Sequence, residues 1–151
     1  MTYSKLSDLE KKISYKFKNK NLLKNALTHK TYAFEATDPL EFNERLEFLG
    51  DSILGFIAAE SLYHTNKYFS EGELTRRRAL FIKNKYLAKK AKELEIGKYL
   101  KLGKGESMQN GSANPTNLAN ALEALIGAIY LDSDLDTIRD FIIKIIFEGK
   151  I

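Results

Sequence analysis

No cysteine occurs in the 151 residues, so disulfides, thiolate zinc sites and cysteine nucleophiles are all excluded, and a reducing compartment is compatible. Tryptophan is also absent, and there are only two prolines and two histidines. His29 and His64 are far apart and have no obvious companions. Histidine metal sites normally pair the ring with a nearby ligand, so both read as helix-surface or packing residues. The opening MTYSKLSDLEKK lacks the apolar stretch of a secretory signal. The longest apolar run, Ala124 to Leu131, falls far short of the roughly 20 residues that span a bilayer. A soluble, cytoplasmic protein with no membrane partner is therefore expected. No internal repeat or low-complexity tract interrupts the chain.

What is present suits one globular domain over residues 1–151. The chain is 44% hydrophobic and 11% aromatic, too apolar for a disordered polymer and too short for two ordinary domains. The net charge of +4 hides a strong segregation along the chain. Residues 1–27 and 76–104 are basic, and 28–75 and 105–151 acidic. The stretch from Arg76, Arg77 and Arg78 through Lys104 carries eleven basic residues against two acidic ones. Such a run suits a polyanion such as nucleic acid, and equally a solvated lysine-rich helix face.

Apolar residues recur at helical spacing nearly throughout, and no stretch alternates as a strand does, so the fold class is all-α. Ser7 followed by Glu10 resembles a capping box opening a helix through Leu9 and Ile13. A short helix is expected over Leu22–Thr28, a loop over Ala33–Phe42, and a long helix from about Asn43 to Tyr63. Glu73–Leu94 reads as an interrupted helical region, with Leu80, Leu87, Ala88, Ala91 and Leu94 as its apolar stripe. Gly97, Gly103, Gly105, Gly111 and Pro115 then break the chain into turns. Two final helices are expected over about Thr116–Leu131 and Asp134–Phe147, divided by an Asp-Ser-Asp cap signal.

Two acidic features do not fit a plain core. Glu44, Glu47 and Asp51 lie at i, i+3 and i+7, within about 60° of one another on a helix of 3.6 residues per turn. The following Ile53, Leu54, Phe56 and Ile57 mark that helix as a core element. Gly50 and Gly55 each cost it about 1 kcal/mol relative to alanine, which suggests close approach by another helix or a ligand. In Leu118–Leu131 the only charge is Glu123, with Asn120 one turn earlier on the same face. A lone carboxylate there is costly unless paired or metal-bound. If the two helices pack side by side, Glu47, Asp51, Asn120 and Glu123 converge into an oxygen-lined site suited to Mg²⁺ or Mn²⁺. Pairing of these acids with a buried Arg45 or lysine is the alternative.

The segment NERLEFLGDSIL, Asn43 to Leu54, resembles the signature of the ribonuclease III family. LTHKTY (Leu27 to Tyr32), EGELTRRRA (Glu71 to Ala79), the spaced leucines and glycines from Leu87 to Glu106, and LEALIGAIYLD (Leu122 to Asp132) extend the resemblance over nearly the whole chain. It implies an all-α endonuclease domain that forms a twofold homodimer and cleaves double-stranded RNA by Mg²⁺-dependent phosphodiester hydrolysis, with Mn²⁺ as substitute. The ends left would be 5′-phosphate and 3′-hydroxyl, and the setting ribosomal and messenger RNA processing. By position, Glu47, Asp51 and Glu123 match metal-binding carboxylates, with Asn120 at a fourth ligand position. Asp51, Glu123, Glu44 and Glu47 form the implied catalytic group. Glu44 and Glu71 match acidic positions associated with contacts to substrate or to the ligating carboxylates, and Arg76, Arg77 and Arg78 become candidate RNA contacts. Phe48 and Leu49 fall in the region resembling the dimer interface.

Two departures from the family pattern carry expectations. Position 120 usually bears an aspartate; here asparagine keeps a ligating carbonyl oxygen but removes one negative charge, so weaker metal binding and slower turnover are expected. The sequence ends at Ile151, where the family commonly continues into a double-stranded-RNA-binding domain; without that domain fewer phosphates are contacted and weaker RNA binding is expected. Competing readings are a catalytically impaired RNA-binding protein of the same fold, which Asn120 would allow, and a structural dimerisation module with remnant acids.

Overall fold

The computed structural model describes residues 3–151. Two long helices form its centre: α4 (Glu44–Thr65) and α8 (Pro115–Asp132). Around them lie α1 (Tyr3–Lys12), α2 (Lys20–Ala26), α3 (Lys30–Glu35), α5 (Glu71–Ile82), α6 (Asn84–Glu93), α7 (Lys104–Met108) and α9 (Leu135–Phe141). A π-helical turn, Ile142–Ile146, extends α9. No strand occurs among the described residues, and Thr28 and Lys101 form only an isolated parallel bridge. No helix described is long and apolar enough to cross a membrane.

Helix α8 is central because it is apolar on nearly every side and rich in small residues. Ala119, Ala121, Ala124, Gly127 and Ala128 are all buried, together with Leu122, Leu125, Ile126 and Ile129. It packs against α4, α6 and α2. Contact with α4 is backbone to backbone. A methyl added at Gly50 would lie 1.7 Å from the Glu123 carbonyl oxygen, and one at Gly127 would lie 2.4 Å from that of Leu46. Glycine is thus required on both sides of the crossing, which brings the Glu47–Asp51 turn of α4 against the Asn120–Glu123 turn of α8. The same expectation for Gly55 is not met, because a methyl there would touch nothing within 4 Å.

Several local expectations give way to longer-range contacts. The Ser7–Glu10 pair does not open a helix, since α1 already runs from Tyr3. Glu10 is instead buried, accepting the Phe17 N–H at 2.8 Å and pairing with Lys20. The first part of the expected loop over Ala33–Phe42 is helical. His29 caps α3 by accepting the Thr31 N–H through Nδ1, and the neighbouring chain is fastened by the Thr28–Lys101 bridge. The region from Glu73 to Leu94 breaks at Lys83, whose extended backbone ends α5 and starts α6. That break resets the helical phase. Leu87, Ala88 and Ala91 are buried, but Leu80 is 54% exposed and α5 buries no residue at all.

The segment after α8 packs onto the core through Ile138, Phe141, Ile142 and Ile146. Asp134 caps α9 by accepting the Thr137 N–H at 2.8 Å, as the Asp-Ser-Asp signal indicates. Phe147 is fully buried, and the Tyr86 hydroxyl donates to the Ile146 carbonyl at 2.7 Å. Lys90 is buried between Glu93 and Glu148, so this member of the basic stretch is used internally.

Candidate metal centre

The α4–α8 crossing leaves a cleft of about 350 Å³ lined by Glu44, Glu47, Phe48, Asp51, Asn120 and Glu123. Glu44 stands in the first turn of α4, with Glu47 and Asp51 on successive turns below it, and Asn120 and Glu123 face them from α8. Four carboxylates and one amide thus share a concavity whose lining contains no cation. Glu44 and Asp51 reach solvent, while Glu47, Asn120 and Glu123 are partly buried.

The electrostatic consequence falls hardest on Glu123. Burial, with the charges of Asp51 and Glu47 adding to it, pushes its carboxyl up to about 8. Glu47 moves the same way, raised by burial and by Glu44 and Asp51, with Lys30 opposing. Burial disfavours the charged form, and neighbouring like charges disfavour it again. A proton or a cation relieves both effects. The alternative of ion pairing applies to Glu44 alone, whose carboxylate meets Lys30 at 3.0 Å. Arg45 is exposed and lines a different groove.

The donor set fits a hard divalent cation, being all oxygen and carboxylate-rich on two rigid helices. No three acidic or histidine side chains among the described residues are closed into a finished ligand cage. Side chains of like charge hold apart in a shared cleft, and glutamate rotamers can turn inward without any backbone change. The backbone positions are what the crossing fixes.

The remaining candidates lie elsewhere. Glu71, in the first turn of α5, is exposed, accepts from the Thr75 hydroxyl at 3.3 Å and does not line the cleft. Arg76 and Arg77 are exposed and Arg78 partly so. Arg77 donates to Glu73 at 2.8 Å, and its guanidinium lies 4.1 Å from the centre of the Phe69 ring. Beside the cleft runs a larger groove of about 820 Å³ whose walls include Leu22, Leu40, Phe42, Leu46, Phe48 and Leu49. Phe48 borders both concavities and is 78% exposed. Lys30 lies outside the basic stretch of residues 76–104, and its only mark in the sequence is its place within LTHKTY.

The ribonuclease-III-like family pattern matches residues 19–150. Ribonuclease 3 of Clostridium tetani is 48% identical over 142 residues, covering 94% of this chain and 60% of that protein. Ribonuclease 3 of Pseudomonas putida is 47% identical over 147 residues, covering 95% and 62%. The chain therefore spans about three-fifths of the length of these curated relatives. Among solved structures, the nuclease domain of ribonuclease III from Campylobacter jejuni superposes with a TM-score of 0.88 at 36% identity, covering 99% of this chain and 97% of that one. A second structure of that domain, described as showing flexibility in a region involved in dimer formation, gives 0.87 at 37% identity.

Proposed function

Since the chain belongs to the ribonuclease-III-like family, we propose that it is a metal-dependent endoribonuclease that hydrolyses double-stranded RNA in the cytoplasmic processing of ribosomal and messenger RNA. One observation carries the reading: partly buried Glu123 shares with Glu47 and Asp51 a cleft at a helix crossing whose lining supplies no neutralising cation. A structural module gains nothing from such repulsion, whereas a cation-binding site requires it.

Glu47, Asp51, Glu123 and the carbonyl oxygen of Asn120 would hold Mg²⁺, with Mn²⁺ able to replace it. A divalent ion bound there supplies Lewis-acid stabilisation of the charge that develops on a phosphodiester during hydrolysis. The chain's own part is positional. Helices α4 and α8 keep the four donors on facing turns, and Glu44 at the rim holds Lys30. Water adds across the phosphodiester, leaving a 5′-phosphate and a 3′-hydroxyl. Arg76, Arg77 and Arg78 stand on a helix that buries nothing, well placed to contact the backbone of an A-form duplex, which is recognised by shape and phosphate rather than base edges. The protein acts as a homodimer in this reading. Exposed Phe48 and the apolar groove next to it form a surface that a second copy would cover.

Labelled duplex RNA incubated with the protein, with and without Mg²⁺, should be cut only in the presence of the metal, as seen on denaturing gels. A native-gel shift with RNA intact in Mg²⁺ would establish the binding-only alternative instead. Asn120 should tune rather than abolish the reaction. Asn120→Asp restores a negative donor and should tighten Mg²⁺ binding and speed cleavage, each by about tenfold. Titration calorimetry and single-turnover cleavage measure the two effects, and no change in either would remove Asn120 from the ligand set.

A further inference from the structure

A polyanion entering a cleft of carboxylates needs a positive group at its rim. Among the described residues, Lys30 is the cation in ion-pair contact with a side chain of the cleft lining. Its backbone is held in place from two directions. The His29 N–H donates to the Lys101 carbonyl at 3.0 Å, and the Lys101 N–H to the Leu27 carbonyl at 2.8 Å. The Gly103 N–H donates to Thr31 Oγ1 at 3.0 Å. On the other side the Asn43 N–H donates to the Thr28 carbonyl at 2.9 Å, one residue before Glu44. The start of α3 is thereby locked to the start of α4, while the Lys30 and Glu44 side chains both remain 49% exposed.

Nothing in this arrangement requires Lys30 for stability. An ion pair so exposed contributes little to folding, and α3 is joined to its surroundings by backbone hydrogen bonds and by the side chains of Thr31 and Glu35, the latter accepting the Lys104 N–H at 3.0 Å. The ammonium carries three donors, and Glu44 uses one direction only. Because the partner is a solvated carboxylate, exchanging it for a phosphate oxygen is nearly free of cost. Arg45, the neighbour of Glu44 in sequence, lines the apolar groove and does not serve the acidic cleft.

We propose that Lys30 is a substrate-binding residue that Glu44 holds at the cleft rim and that passes its ammonium to a backbone phosphate of the RNA strand entering the carboxylate cleft. This rests on the nuclease reading above and adds to it a named cation outside the basic stretch of residues 76–104.

The test compares wild type, Lys30→Gln and Lys30→Arg in two assays. In cleavage of a short duplex with Mg²⁺, Lys30→Gln should raise KM by about three- to tenfold and change kcat by less than about twofold, while Lys30→Arg recovers most of the loss. In binding of the same duplex without metal, followed by fluorescence anisotropy, the slope of log affinity against log salt should become shallower by about one for Lys30→Gln. Equal affinity and salt slope for Lys30→Gln and wild type overturns the assignment, as does a fall in kcat alone. A KM defect that arginine fails to rescue and that comes with a lowered Tm would assign Lys30 a structural role, which also overturns it. A wild-type protein that neither binds nor cuts the duplex sinks both this proposal and the nuclease reading. One that cuts it normally, with Lys30→Gln unaffected, sinks this proposal alone.

Discussion

Gly50→Ala should cost at least about 3 kcal/mol of stability and lower Tm by about 10 °C, or leave no soluble protein. The added methyl would lie 1.7 Å from the Glu123 carbonyl oxygen, with the Gly127 backbone nitrogen 3.0 Å away. Both neighbours are backbone atoms of a buried helix, so no side-chain rotamer can relieve the overlap and α4 must lift off α8. Alanine's gain of about 1 kcal/mol in helix propensity does not offset this. Gly55→Ala is the control. It lies on the same helix and meets nothing within 4 Å, so it should leave Tm unchanged or raise it by a few degrees. Thermal melts of the two variants separate a specific crossing from a general intolerance of alanine in α4. If Gly50→Ala melted with the wild type, the backbone contact on which the carboxylate cleft depends would be wrong.

That crossing also shows which features the sequence makes legible. Helices α4 and α8 are readable because their apolar residues are dense and continuous, and Glu44, Glu47 and Asp51 share a face by helical arithmetic alone. Glu123 stands out as the single charge in an apolar segment. What periodicity cannot supply is the relation between elements some 70 residues apart, and here it rests on Gly50 meeting Glu123 and Gly127 meeting Leu46. Of the two glycines in α4, only the structure distinguishes the one that is pressed from the one that is not.

The misplaced elements have the same origin. The Ser7–Glu10 spacing mimics a cap, but Glu10 spends its carboxylate on Phe17 and Lys20, a tertiary arrangement that a four-residue pattern does not encode. Helix α3 is only six residues long, is capped by an atypical histidine, and is braced by Lys101 and Gly103 far along the chain. Leu80 falls on the stripe of α6 only if helical phase runs through Lys83, where the backbone turns extended. Glu71 resembles a site residue by position, yet in the single chain it lies outside the cleft lining. Lys30 is hidden by an opposite bias. Eleven basic residues cluster in 76–104, and an isolated lysine has no pattern to mark it until its carboxylate neighbour is placed in space.

On the ligand role proposed for it, Glu123→Gln should cripple cleavage and stabilise the metal-free fold together. A carboxyl held at about 8 when folded, against an ordinary value of 4.5, binds its proton more tightly in the folded state than in the unfolded one. Its contribution to stability is therefore fully present below about pH 4.5 and is lost progressively as pH rises towards 8, where the charged form must be carried against burial and the charges of Asp51 and Glu47. Glutamine has the same shape and no charge. In chelator at pH 8 the variant should be the more stable protein, and the gap should close as pH falls towards 4.5. Solvent reaches part of this carboxyl, so the full shift is not realised, and about 1–2 kcal/mol, or roughly 2–8 °C in Tm, is expected. Mg²⁺ reverses the ranking, because it should raise the Tm of wild type at pH 8 and leave that of Glu123→Gln nearly unchanged. On the ligand role proposed for Glu123, cleavage of duplex RNA should fall at least about a hundredfold. Two outcomes would break the argument: parallel pH–stability curves for the two proteins in chelator, or a variant that cuts at close to the wild-type rate. The first would show that Glu123 is not held against its neighbours, and the second that the strained carboxylate is not what the reaction uses.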